Sequence, residues 1–205
     1  MVVALASALA GAACASGGGD PEDFAKFADE IAGAAEGGDI AFFADRVEGK
    51  PYVCTEEDVE ASTGPEAPPE PICLEAGYEF EAVPISNYGT RGTITTPEVL
   101  ARDVQRFFED ALGDMDDRYG PGAVRLYATA IPSRPGAPEV GVRSAILTAL
   151  QDYQGQPARY VRALDFEYVD GRWVITGETI AGFPVAVDLL EPSSAGLLYA
   201  EWTKY

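Results

Sequence analysis

RYVRALDFEYVDGRWVITGETIA, Arg159 to Ala181, reads as a β-hairpin turned on Asp170-Gly171. Both central residues of such a turn take positive φ, and Asp-Gly between alternating runs is the strongest short-range signal for it. A two-residue turn sets Val169 opposite Arg172, Tyr168 opposite Trp173, Phe166 opposite Ile175 and Leu164 opposite Gly177. The side-chain period of two then gathers Leu164, Phe166, Tyr168, Trp173 and Ile175 on one face. Asp165, Glu167, Val169, Arg172, Val174, Thr176 and Glu178 take the other. One side is apolar and aromatic and the other mostly charged or polar, so the ring-bearing side is expected to pack on helices.

Outward from the hairpin, Val124–Ile131 and Val140–Leu150 read as two more strands, separated by SRPGAP and followed by a break at Tyr153–Pro157. Four successive strands with short links make an antiparallel meander. Upstream, Thr95-Thr96-Pro97-Glu98 is a capping box with proline in the first turn. It opens a helix in which Leu100, Val104, Phe107, Phe108 and Ala111 line one side and Gly113 marks the end. An earlier helix starts at Asp20-Pro21 and carries Phe24, Phe27, Ala28, Ile31, Ala34 and Ala35 at helical spacing. Gly37-Gly38 stops it, and Asp39 caps a shorter one bearing Ile40, Phe43 and Val47. Between these helical parts, Pro51–Thr55, Tyr78–Ile85 and Gly92–Thr95 have strand-like composition, with Glu56–Pro71 as loop. The tail from Phe183 to Tyr205 is compatible with a helix or an edge strand.

Composition narrows the function. The chain has 205 residues, 34 acids against 14 bases, a formal charge of −20 and no histidine. Nucleic acid is not an expected partner, because its recognition needs a basic patch. Ser-His-Asp and Cys-His nucleophile systems and His-containing zinc sites are excluded.

Residues 1–19, MVVALASALAGAACASGGG, form a separate segment: a short uncharged apolar run, Cys14 after Ala12-Ala13, then a flexible Gly-Ser linker. This resembles the bacterial lipoprotein pattern, with Gly11 standing where that pattern carries an aliphatic residue. The resemblance implies diacylation of Cys14, anchoring at the outer side of the cell membrane, and secretion if Cys14 is not acylated. Cys54 and Cys73 are then an even pair in an exported chain, expected to form a disulfide closing an acidic, proline-rich loop.

For 20–205 the order helix, helix, irregular strands, helix, meander resembles the NTF2-like (SnoaL-like) cone. The FFADRV helix after the Gly-Gly-Asp turn and the closing hairpin carry the resemblance over about Asp20–Ala181. It implies a single α+β domain with a C-terminal extension, in which N-terminal helices and one further helix pack on a curved antiparallel sheet. In such a cone Phe166, Tyr168 and Trp173 are candidates for an apolar ligand pocket. Family enzymes place an Asp base with a Tyr, a second acid or a His in the cone, but the register turns Asp165 and Glu167 away from it and no histidine exists. No catalytic, cofactor or metal residue is therefore assigned. Asp114 as the first ligand of a calcium loop would set Arg118 and Arg125 at ligand positions, which defeats that reading. The sequence thus points to a non-catalytic, membrane-anchored envelope domain that binds a partner protein or small apolar ligand. An NTF2-like isomerase or cyclase using a carboxylate and a tyrosine is the alternative.

Overall fold

A computed structural model describes residues 21–63, 72–87, 93–112, 124–134, 137–138, 141–180 and 199–205. The architecture is α+β, with helices against a curved, mostly antiparallel sheet, in the element order that the NTF2-like cone implies. Cys14, the Asp114 loop and most of the tail lie outside the described residues.

Helix α1 (Pro21–Gly37) buries Phe24, Phe27, Ala28, Ile31 and Ala35 along one stripe. In α2 (Ile40–Ala44) the Asp39 carboxylate accepts from the Phe42 amide at 3.1 Å, so the cap forms as its sequence implies, and Phe43 is buried. Helix α3 (Glu56–Thr63) replaces part of the expected loop. Its start is a reciprocal box: the Thr55 amide donates to Asp58 Oδ2 at 2.7 Å and the Asp58 amide to Thr55 Oγ1 at 3.2 Å. Three acids in its first turn suit the helix's positive end. Helix α4 (Pro97–Leu112) buries the full expected stripe, Leu100, Val104, Phe107, Phe108 and Ala111.

The strands are β1 (Lys50–Val53), β2 (Glu79–Asn87), β3 (Thr93–Thr95), β4 (Val124–Arg134), β5 (Ala137–Pro138), β6 (Val142–Tyr153), β7 (Gln156–Val169), β8 (Arg172–Ile180) and β9 (Tyr199–Lys204). Their order is β1-β2-β8-β7-β6-β4-β5, with β3 on β2 and β9 on β4. The expected meander is present as β4-β6-β7-β8. Asp170 (φ 49°) and Gly171 (φ 85°) make the hairpin turn, and Gln154-Gly155 makes the preceding one. The tail ends as a strand, with Ala128 paired to Lys204. Strand β2 joins β8 in parallel, pairing Ile85 with Glu178. Gly49 marks a tight passage, because a Cβ there would stand 2.7 Å from Glu81 Cβ and 2.9 Å from Pro97 Cγ.

Register decides what faces the helices. Between β7 and β8 it holds from Val169–Arg172 to Phe166–Ile175 and then slips by one residue, so Asp165 pairs with Gly177 and Leu164 with Glu178. The slip is a β-bulge at Thr176, and an extra residue on one strand reverses the facing of everything beyond it. A second bulge lies between Leu126 and Ala128. Val124 and Leu126 accordingly join the main core, while Ala128 and Ala130 join a smaller cluster with Ile146, Val161 and Ala163. Tyr127 and Trp202 pack against that second cluster.

Candidate functional site

The ring-bearing face of the hairpin meets α1. Phe24 lies 4.8 Å from Trp173 edge-on, Phe27 lies 5.4 Å from Phe166, and Tyr168 lies 5.3 Å from Trp173. Of the three expected pocket residues, Phe166 and Trp173 are buried in the core and Tyr168 is half-buried against it. The three are brought together, and helix rings occupy the space in front of Phe166 and Trp173.

Asp165 and Glu167 face away from this core. Asp165 accepts from the Ser144 hydroxyl across β6. Glu167 accepts from Thr176 Oγ1 at 2.8 Å and pairs with Lys50. On the opposite edge of the hairpin, the Glu48 amide donates to the Ile175 carbonyl at 2.9 Å and the Ile175 amide to the Arg46 carbonyl at 2.7 Å.

The acid that does turn inward is Glu178, which the uninterrupted register places on the polar face. The bulge sets it between Leu164 of β7 and Ile85 of β2, with its side chain 0% exposed. Arg162, two residues from Leu164 on the same strand, reaches it at 2.8 Å as an ion pair. That approach satisfies distance but not direction, so among the described residues Arg162 Nη1 and both Glu178 oxygens meet no partner in hydrogen-bond geometry. The Arg162 guanidinium also lies 5.2 Å from the Phe107 ring of α4. Taking two charges out of water costs several kcal/mol for each ion, and the attraction repays it fully only with good hydrogen-bond geometry. Burial therefore pushes the Glu178 carboxyl from its ordinary 4.5 up to about 7; Arg162 opposes the shift, and the negative charges of Asp103 and Asp165 add to it.

The interior thus holds a carboxyl that gains and loses its proton near neutrality, paired with a guanidinium. Sequence reading missed it because strict alternation put Glu178 outside, although an isolated glycine within a strand, Gly177, is a recognised bulge signal. Among the described residues no group of three Cys, Asp or Glu side chains is placed to hold a metal ion. Cys54 and Cys73 form the expected disulfide, with Cα atoms 5.5 Å apart and both residues buried.

No protein-family model and no curated protein matches the chain. Solved structures similar to it include two designed NTF2 proteins, one described as having a long sheet, and a candidate dehydratase of the NTF2-like family from Streptomyces avermitilis. The first design is 12% identical with a TM-score of 0.39, covering 78% of this chain and 98% of its own. The long-sheet design is 13% identical with a TM-score of 0.36, covering 77% and 98%. The Streptomyces protein is 14% identical with a TM-score of 0.39, covering 82% and 99%. Identities this low say nothing of function, and TM-scores below 0.5 carry no further argument.

Proposed function

We propose, from the α+β cone layout and its disulfide, that the chain is an extracytoplasmic module held at the bacterial membrane through a lipid on Cys14. There it binds a partner protein or a small apolar ligand of the cell envelope, and without acylation it is secreted. The observation that carries this is the Cys54–Cys73 disulfide, both cysteines buried, since such bonds form and persist in oxidising compartments. Among the described residues no helix is long and apolar enough to cross a membrane; in this reading a lipid on Cys14 supplies the attachment. Metabolic labelling with a palmitate analogue tests the anchor: label on the wild type and none on Cys14→Ser is expected. An unlabelled wild type ends the anchoring claim.

A second reading, an NTF2-like isomerase or cyclase, draws support from Glu178, an interior acid whose proton is held near neutrality. It expects a tyrosine beside the acid, whereas the partner of Glu178 is Arg162. A ligand-bound crystal separates the two: a reacting atom within hydrogen-bond reach of Glu178 favours the enzyme, and contacts to rings alone favour the binding module.

A further inference from the structure

Glu178 sits at a short joint in the sheet. On one side β8 pairs with β7 from Val169–Arg172 to Arg162–Ile180, and a tight turn links the two strands. On the other, β2 meets β8 only from Ile85–Glu178 to Asn87–Ile180. Nearer the turn, Arg46–Glu48 takes the β8 edge instead, through its backbone bonds to Ile175. Parallel pairing is also slightly weaker per residue than antiparallel pairing.

The rest of β2 is anchored. Val83 is fully buried in the main core and pairs with Thr95 of β3, while Glu79–Ala82 pairs with β1, whose end the disulfide fastens. Ile85 also pairs with Thr93, so the start of β3 travels with it. A swing of the Ile85–Asn87 end about Val83 therefore breaks few bonds and leaves the core closed. Local openings of this kind take less free energy than global unfolding.

Charge decides when the joint holds. The Glu178 side chain is 0% exposed, and Arg162 stands 2.8 Å away, outside hydrogen-bond direction. Ile85 beside it is apolar and buried. Asp103 of α4 and Asp165 of β7 add negative charge around it, Asp165 from the far face, where it holds Ser144. Protonated, Glu178 carries no charge into this dry place. Ionised, it lacks the hydrogen bonds that would offset its lost hydration, and parting Ile85 from β8 admits water that supplies them.

We propose that the β2–β8 joint is a pH-operated flap: with Glu178 protonated the Ile85–Asn87 end of β2 stays on β8, and with Glu178 ionised it lifts. The sign follows from burial. The folded carboxyl titrates at about 7, above its ordinary 4.5, so the closed joint is favoured in acid and loosens as pH rises through about 7. The flap needs neither a lipid on Cys14 nor a ligand, and it stands or falls apart from both functional readings.

The test is amide exchange of the full chain between about pH 5 and about pH 9, corrected for the intrinsic pH dependence of exchange. Protection at Ile85–Asn87 and Glu178–Ile180 should fall about tenfold or more across that range, while Ala145–Leu147 in β6 keeps its own. Glu178→Gln, close in shape and unable to ionise, should show no such fall. Two further variants move the midpoint in opposite directions. Arg162 favours the carboxylate, so Arg162→Gln should shift opening to higher pH; Asp103 disfavours it, so Asp103→Asn should shift opening to lower pH. A thermal melt verifies that each variant is folded. The proposal is overturned by constant protection in the wild type, by a fall that persists in Glu178→Gln, or by midpoints that do not separate in these directions. Equal loss in β6 would mean that the whole domain loosens rather than one flap, and refutes it likewise.

Discussion

Leu164 stands opposite Glu178, where an unbroken hairpin would set Gly177. That one-residue slip carries a carboxylate through the sheet and seals it against Ile85 and Arg162. The slip falls between two covered stretches of the β8 edge, Arg46–Glu48 at Ile175 and β2 from Glu178 onward.

The sealed carboxylate predicts an unusual pH response. Its folded value, about 7, lies above its ordinary 4.5, so the folded chain holds the proton longer than the unfolded one. Its contribution is therefore fully present below about pH 4.5 and is lost as pH rises through about 7. Relative to Glu178→Gln, the wild type should lose on the order of 3 kcal/mol across that window. Urea denaturation of both chains at a series of pH values measures it, and parallel curves would refute the burial argument.

Asp58 responds with the opposite sign. Burial pushes it up, but hydrogen bonds from the Thr55 hydroxyl, the Thr55 amide and the Tyr52 hydroxyl outweigh this and hold it below its ordinary 3.8. Its stabilisation is present above that ordinary value and fades as pH falls through the lower folded one. Tyr52→Phe removes one of those donors and should cost about 1 kcal/mol by chemical denaturation at neutral pH.

Opening the Cys54–Cys73 crosslink, which spans 19 residues, should cost about 3 kcal/mol, mostly by freeing the unfolded chain. The Cys54→Ser, Cys73→Ser double variant measures it against the oxidised wild type. Because the tie lies at the β1 edge, amide exchange should quicken around Cys54 and Tyr78 while α4 keeps its protection.

The contact of Phe24 with Trp173 joins α1 to the hairpin. Trp173→Ala should cost about 3–5 kcal/mol, as truncation of a buried large ring does. A double-mutant cycle with Phe24→Ala should leave a coupling of about 1 kcal/mol, the value of an edge-on ring pair beyond its buried area. Zero coupling would mean that the two rings pack independently.

Much of the fold could be read from local chemistry. Asp170-Gly171 has the positive φ that its turn demands, the Thr96-Pro97 start launches α4, and the apolar stripes of α1 and α4 are the buried ones. What escaped was of two kinds. Helix α3 was masked by its acids and flanking prolines, although Thr55 and Asp58 supply a start box. Glu178 was misplaced because periodicity assumes an unbroken ladder, and a bulge changes parity without changing composition. The tail had apolar residues at both helical and alternating spacing, and pairing with Ala128 and Thr129 decided for a strand. The ring cluster was therefore legible in advance, whereas the buried ion pair depended on long-range pairing that no local window contains.

The parallel join of Ile85 to Glu178 also dictates an order of events. Strands β6, β7 and β8 meet through two-residue turns and can zip up quickly, but β2 arrives from nearly half the chain away. Closing so wide a loop is slow, so the docking of β2 belongs late in folding. Until then Glu178 stays hydrated on an open flank, and the cost of drying it is met only in the final step.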